Sequence, residues 1–206
     1  MQIKSPESLL PTVIVLAAGQ GERFKASGGT QDKLNASLNG RSVRDHVLDA
    51  VRSSELPFFV VERDHIAQLK SRGMGDSIAY GVSATADSKG WLILPADLPL
   101  IKPQTLLAVA NALLDAKDSA VVVPFYQGKQ GHPVGFKACC GDALKQLTGD
   151  QGARAVVATY PSIRVELNDE GMVMDVDTLP ALKEAEKRLL NGVGFDIDQS
   201  IAPSIR

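Results

Sequence analysis

An α/β fold on a mostly parallel sheet is what the residue pattern predicts, and two observations carry the expectation. Short apolar runs rich in β-branched residues alternate with longer stretches whose apolar positions recur at helical spacing, as strands joined through crossover helices do. The first run, residues 12–17 (TVIVLA), is apolar on both faces, as a central strand covered on both sides must be.

The elements follow in order. Gly19 and Gly21 break the first run, and a polar stretch reaches to Lys33. Val43, Val47, Ala50 and Val51 set an apolar stripe on a helix that starts near Ser42, at the spacing of a 3.6-residue turn. Residues 57–61 (PFFVV) read as a second strand and residues 64–70 as a polar helical stretch; Gly73-Met74-Gly75 opens a helix over residues 76–86. Residues 91–94 are a third apolar run, closed by Pro95 and Pro99. Pro103 suits a first helical turn, where its fixed φ fits and its missing N–H is no loss. Leu106, Leu107, Val109, Ala110, Leu113 and Leu114 give that helix its apolar face. Residues 120–123 are a further strand, 127–133 a turn-rich loop, 139–147 and 152–160 short helices, and 163–167 another strand. Residues 171–176 read as a last β segment. A closing helix spans 178–190, with Thr178 as N-cap and Pro180 just inside it.

The chain has 206 residues, about one domain at ~100–200 residues per core. A single domain over residues 1–190 is expected, followed by a tail, or an arm onto a neighbour, over 191–206 where periodicity is lost. With 44% hydrophobic and 22% charged residues the composition excludes disordered, collagen-like and fibrous classes. A net charge of −2 carries no basic bias toward nucleic acid. No stretch reaches the ~18 apolar residues of a membrane span. Residues 13–18 are too short for a secretory signal, and Glu7 spoils its positive flank. Cys139 and Cys140 are neighbours, a poor pair for a structural disulfide and without metal-ligand spacing, so a reducing cytoplasm is expected.

Three constellations carry chemistry. Leu16-Ala17-Ala18-Gly19-Gln20-Gly21-Glu22-Arg23-Phe24, with Lys33 beyond it, ends a buried strand in glycines. Backbone N–H groups there can approach phosphate oxygens at the carboxyl edge of a sheet, with Arg23 and Lys33 adding charge; a plain glycine turn with surface cations is the other reading. The dinucleotide fingerprint would need glycine at Phe24, and no G-K-[ST] of a P-loop occurs. Asp97, in Leu94-Pro95-Ala96-Asp97-Leu98-Pro99, either meets a hard cation such as Mg²⁺, which needs one or two carboxylates plus phosphates and water, or caps the turn before the Pro103 helix. Asp175 and Asp177, two apart, share a face if extended and can meet one metal; Asp177 can equally cap the last helix. Gly73 to Ser77 can present helix N-terminal amides and a hydroxyl to a nucleotide, or merely start a helix. Gly131-His132-Pro133 and the 149–154 segment with Arg154 are candidate acceptor-facing turns, or ordinary surface.

Taken together and in order, LAAGQGERF with Lys33, GMGDSIAYGV, LPADLPLI, GHPVGF, GDQGARAVV and DVDTLPAL resemble the MobA-like nucleotidyltransferases, most closely the molybdenum-cofactor cytidylyltransferase branch. The resemblance implies a three-layer α/β/α Rossmann-like nucleotide-diphospho-sugar transferase fold. It implies that the loop from Gly19 through Gly21 to Arg23, with Lys33, holds a triphosphate, within a nucleotide-binding set that also takes in Leu16, Ala17 and Ala18. Gly73 and Ser77 would lie near the nucleotide, Asp97 would bind Mg²⁺ and Asp177 would be a second metal ligand. His132 and Arg154 would face the acceptor. LAAG goes with cytidine more often than LAGG, so Ala18 favours CTP. The chain departs from the family in a longer loop after Arg23 and in Asp76, where a serine is frequent and an anion would repel a phosphate.

The expected activity is Mg²⁺-dependent transfer of CMP from CTP to a small phosphate-bearing acceptor of molybdopterin type. Arg23, Lys33 and Asp97 would be the catalytic set, and a molybdoenzyme or a second copy the protein partner. A glycosyltransferase using Asp175 and Asp177 as a D-x-D pair, and a nucleotide-binding carrier without catalysis, are the two other classes.

Overall fold

Val13 and Val15 of β1 (Thr12–Leu16) pack to one side of the sheet and Ile14 to the other, all fully buried. That explains why the run is apolar on both faces: the sheet is the middle layer of three. The computed structural model describes residues 10–193.

After β1 come α1 (Glu22–Ala26), a 3-10 turn (Lys33–Asn35), a small hairpin of β2 (Ser37–Leu38) and β3 (Arg41–Ser42), and α2 (Val43–Ser53). Next are β4 (Phe58–Val61), a 3-10 turn (Arg63–Ile66), α3 (Met74–Ala84), β5 (Gly90–Pro95), α4 (Pro103–Asp115), β6 (Val121–Tyr126), β7 (Lys129–Gln130) and β8 (Val134–Lys137). The chain closes with α5 (Gly141–Lys145), α6 (Arg154–Thr159), β9 (Ser162–Glu166), a 3-10 turn (Glu170–Val173) and α7 (Leu179–Val193). The main sheet runs β4-β1-β5-β8-β6, with β9 on β6 and β7 pairing the far end of β6 at Phe125 and Tyr126. β1 is parallel to β4 and β5, and β9 to β6; β8 opposes both β5 and β6. β4, β1, β5, β6 and β9 therefore point one way, the mostly parallel sheet expected. Residues of α2, α4 and α7 fill one face (Val47, Val51, Leu106, Val109, Ala185). The other face is filled from α3, α5 and α6 (Ile78, Val82, Leu144, Val156).

The structure corrects several local expectations. The polar stretch before Lys33 contains α1, because Phe24, only 1% exposed, is drawn into the core. The helical stretch of 64–70 contracts to the 3-10 turn Arg63–Ile66, anchored by buried Ile66. β7 lies inside the loop of 127–133, and β8 was not foreseen, since four residues with a glycine in the middle carry almost no period. Residues 171–176 are not a strand. The Asp169 carboxylate accepts the Gly171 N–H (2.9 Å) and folds the segment into a 3-10 turn. The closing helix runs on to Val193, three residues past its expected end. The tail beyond it lies outside the described residues.

Asp169 also tethers the start of α4. Its other oxygen accepts the Lys102 N–H (3.1 Å) and the Thr105 hydroxyl (2.6 Å) at 3% exposure. Asp169→Ala strands three donors at once, two of them in buried bonds, and should lower the free energy of unfolding by about 2–4 kcal/mol. Urea denaturation at neutral pH measures this, with an unchanged m-value expected.

A candidate active-site cleft at the carboxyl edge of the sheet

From β1 the chain leaves toward β4 on one side, while β5 lies on the other, which makes the gap between β1 and β5 the switch point where open α/β sheets bind ligands. Leu16 pairs Pro95, and the Ala96 N–H extends that ladder to the Leu16 carbonyl (3.1 Å), so Asp97 emerges level with the glycine loop. Gly21 has φ +64, left-handed backbone open to glycine, and a side chain there would press on Lys33 Cβ at 3.1 Å. Among the described residues no protein acceptor takes the N–H of Gly19, Gln20 or Gly21.

Lys33 sits on the 3-10 turn whose N-cap is Asp32, the Asp32 carboxylate accepting the Leu34 N–H at 2.9 Å. Its Nζ donates to Asp97 Oδ2 (2.7 Å) and to Asp177 Oδ1 (2.6 Å), with the side chain only 11% exposed. Arg23 Nη1 donates to the other oxygen of Asp177 at 3.0 Å. The Val176 N–H bonds the Asp97 carbonyl (2.9 Å), which is what brings the 175–177 segment back beside the end of β5. Arg23, Lys33, Asp97 and Asp177 therefore stand together.

The charges respond to this closeness. Burial alone would depress the Lys33 ammonium, but the Asp97 charge and hydrogen bonds to Asp177 and Asp97 outweigh it and hold the pKa above the ordinary value. Partial desolvation would raise the Asp177 carboxyl, yet the bonds and charges of Lys33 and Arg23 lower it on balance. Asp175 is held above the ordinary carboxylate value by desolvation, then by Asp177 and Asp97 nearby, with Lys33 opposing. Burial keeps the His132 imidazole below its usual value against the pull of Asp97 and Asp175.

These groups line a cleft of about 690 Å³, within the range of small-molecule sites. Of the residues expected in the site, Leu16, Ala18, Gly19, Gly21, Arg23, Lys33, Gly73, Ser77, Asp97, His132 and Asp177 line it. Ala17 does not; it is buried, and its N–H bonds Val61 of β4 at 2.9 Å. Arg154 is exposed on the first turn of α6 and is outside the lining. Asp97 does not cap the α4 turn, a task Asp169 performs. Arg72, Gln130, Met172 and Val173 also line the cleft. They were missed because their placement depends on loops that carry no period.

Asp76 shows why it does not act as a repelling anion. Its carboxylate is 6% exposed, absent from the lining, and accepts the N–H groups of Gly73 and Gly149 (2.9 Å each) and the Ser71 hydroxyl (3.1 Å). The Gly75 N–H reaches back to the Gly149 carbonyl (2.8 Å), and a Cβ at Gly73 would sit 2.2 Å from that peptide. The first turn of α3 is thus locked to the 148–151 loop.

Two side-chain atoms of the cleft residues, Asp97 Oδ1 and His132 Nδ1, are buried without a hydrogen-bond partner among the described residues. Buried polar atoms are normally paired, so Asp97 Oδ1 is available to a ligand. No group of three or more His, Cys, Asp or Glu side chains that could hold a metal occurs among the described residues. A divalent cation would therefore need phosphate and water to complete its shell around Asp97 and Asp177, which suits Mg²⁺ or Mn²⁺ and their preference for hard oxygen.

Known proteins share this arrangement of elements. The family described as the MobA-like NTP transferase domain matches residues 13–165. The purine catabolism protein PucB of Bacillus subtilis is 27% identical over 194 residues, covering 80% of this chain and 90% of PucB. The bifunctional protein GlmU of Desulfitobacterium hafniense is 30% identical over 125 residues, 53% of this chain and 27% of GlmU, so the chain spans about a quarter of that relative. The crystal structure of Rv0371c from Mycobacterium tuberculosis superposes with TM-score 0.70 at 20% identity, covering 86% of this chain and 97% of that one. A complex of Rv0371c with manganese superposes at 0.65 and 18% identity, over 86% and 98% of the two chains. Among the described residues no helix is long and apolar enough to cross a membrane.

His132 sets a pH dependence. Between its depressed folded pKa and the ordinary value of 6.5, the unfolded chain binds a proton that the folded chain refuses, so stability rises with pH there. The melting temperature should fall as pH drops from about 6.5 through the folded pKa, and His132→Gln should flatten that part of the profile.

Proposed function

Because the chain belongs to the MobA-like NTP transferase family, we propose that it moves a nucleoside monophosphate, CMP from CTP, onto a phosphate-bearing acceptor of molybdopterin type and releases pyrophosphate. One observation carries the reading: an arginine, a lysine and two aspartates from four separate segments meet beside a glycine loop with free amides. A carrier that only bound nucleotide would have little use for acids facing the phosphates.

In this proposal an oxygen of the acceptor phosphate attacks the α-phosphorus of CTP; the new P–O bond forms as the bond to the β-phosphate bridge breaks, and the electron pair leaves on pyrophosphate. The acceptor is already an anion near neutral pH, so no catalytic base is needed. Catalysis then rests on alignment and charge neutralisation. The amides of Gly19, Gln20 and Gly21 orient the triphosphate. Arg23 and Lys33, paired with carboxylates in the free protein, offset charge on the triphosphate and the departing pyrophosphate. Gly73 and Ser77 at the start of α3 flank the nucleotide, and His132 faces the acceptor. Asp97 and Asp177 would hold a divalent cation, with Mg²⁺ the expected ion, which supplies further charge neutralisation. Ala18 supports CTP through the family's LAAG preference. A molybdoenzyme or a second copy of the chain, in a cytoplasmic setting, would be the protein partner.

Two measurements test this. In a thermal-shift screen of the four nucleoside triphosphates with Mg²⁺, CTP should give the largest rise, about 2.7 kcal/mol of added stability at a hundred times its Kd; a larger GTP response overturns the base assignment. Asp97→Ala should cut pyrophosphate release at least ~100-fold while circular dichroism and melting stay near wild type. Retained turnover removes Asp97 from the reaction. Release of nucleoside diphosphate instead of pyrophosphate would establish the glycosyltransferase alternative with Asp175 and Asp177.

A further inference from the structure

Behind the cleft, and outside its lining, Arg63 ties together two segments that the sequence keeps apart. Its Nη2 donates to the Gly19 carbonyl at 2.5 Å and also to the Asp32 carboxylate. Gly19 belongs to the loop whose amides face the cleft, and Asp32 is the N-cap of the turn that carries Lys33. One guanidinium therefore spans both.

The platform under Arg63 is firm. β4 ends at Val61 in register with Leu16 of β1, and Ile66 of the following turn is 1% exposed in the core. His65 on the same turn stacks on Tyr80 of α3 with ring centroids 5.1 Å apart, and lies 5.6 Å from the Phe59 ring. The Glu62 N–H bonds His65 Nδ1 at 3.0 Å. A trans peptide points its carbonyl and its N–H in opposite directions. Holding the Gly19 carbonyl back on Arg63 consequently turns the Gln20 N–H away from Arg63. The other Asp32 oxygen, Oδ1, accepts the Leu34 N–H, so the same carboxylate that meets Arg63 also shapes the Lys33 turn.

We propose that Arg63 is a positioning residue: its guanidinium clasps the Gly19 carbonyl to the Asp32 carboxylate, and so fixes the anion-facing loop relative to the turn that presents Lys33. The role rests on the nucleotidyltransferase reading for its consequence, because what it aligns is the triphosphate site. Geometry rather than charge is the point. Both bonds come from Nη2, which lies one covalent bond farther from the backbone than a lysine Nζ; a lysine at this position keeps the charge but stops short of the two acceptors.

The test is calorimetric titration of CTP and of GTP with Mg²⁺ against wild type, Arg63→Met, Arg63→Lys, Asp32→Asn and the Arg63→Met/Asp32→Asn double variant. Asn at position 32 keeps an oxygen for the Leu34 cap and loses only the charged partner. Each single variant should weaken nucleotide binding about tenfold, with kcat at saturating nucleotide within about threefold. The double variant should be no weaker than either single one, since both remove the same contact. Unchanged affinity in Arg63→Met, wild-type affinity in Arg63→Lys, or additive losses in the double variant each overturn the clasp. Should wild type bind neither nucleotide, the CTP reading fails by itself, and the clasp is judged on the free protein. There the Leu34, Asn35 and Ala36 amides should exchange about tenfold faster in Arg63→Met than in wild type; equal rates overturn it.

Discussion

The ion cluster of Lys33 with Asp97 and Asp177 is the interaction on which the rest of the cleft depends. Two carboxylates from distant segments would repel each other at the end of β5 without a cation between them. The ammonium removes that repulsion and is itself shielded from water, with 11% of its side chain exposed. Its raised pKa and the lowered pKa of Asp177 are two views of one arrangement. Arg23 adds a second cation from the exposed side, where solvent screening makes its contribution smaller.

Everything around the cluster serves to deliver those side chains. Parallel pairing of β1 with β5 sets Asp97 level with the glycine loop. Buried Phe24 and the Asp32 cap order the long segment between Arg23 and Lys33. The Val176 bond to the Asp97 carbonyl returns the end of the domain to its middle. On the opposite rim, Asp76 and the close approach of Gly73 to Gly149 join α3 to the 148–151 loop. The cleft is therefore walled by loops that are pinned from outside themselves, by the Phe24 plug, by the Asp76 carboxylate and by the Val176 backbone bond.

How much of this could be read from the chain differs by element. β1, β4, β5 and α4 were legible because unbroken apolar runs or a strict helical period report burial directly. β8 and the 3-10 turn at Glu170–Val173 were not. The first is interrupted by a glycine and has no apolar run, and the second is a local Asp169 cap whose carboxylate is held in place by Lys102 and Thr105 from far along the sequence. Among site residues, the glycine loop, Arg23, Lys33, Asp97 and Asp177 stood out by residue type and spacing, whereas Arg72, Gln130, Met172 and Val173 had no such mark. Asp76 was misjudged for the same reason. Its charge was visible, but the three donors that occupy it were not.

The sequence by itself determined the alternation of strands and helices, the buried first strand and the chemical types available at its end, because burial and backbone freedom leave a local imprint. Tertiary structure alone decided which acids would share Lys33, that Ala17 and Arg154 would stand outside the cleft, and that Arg63 would reach behind it. Those outcomes depend on distances between segments remote in sequence, and such distances are set by packing rather than by any local pattern.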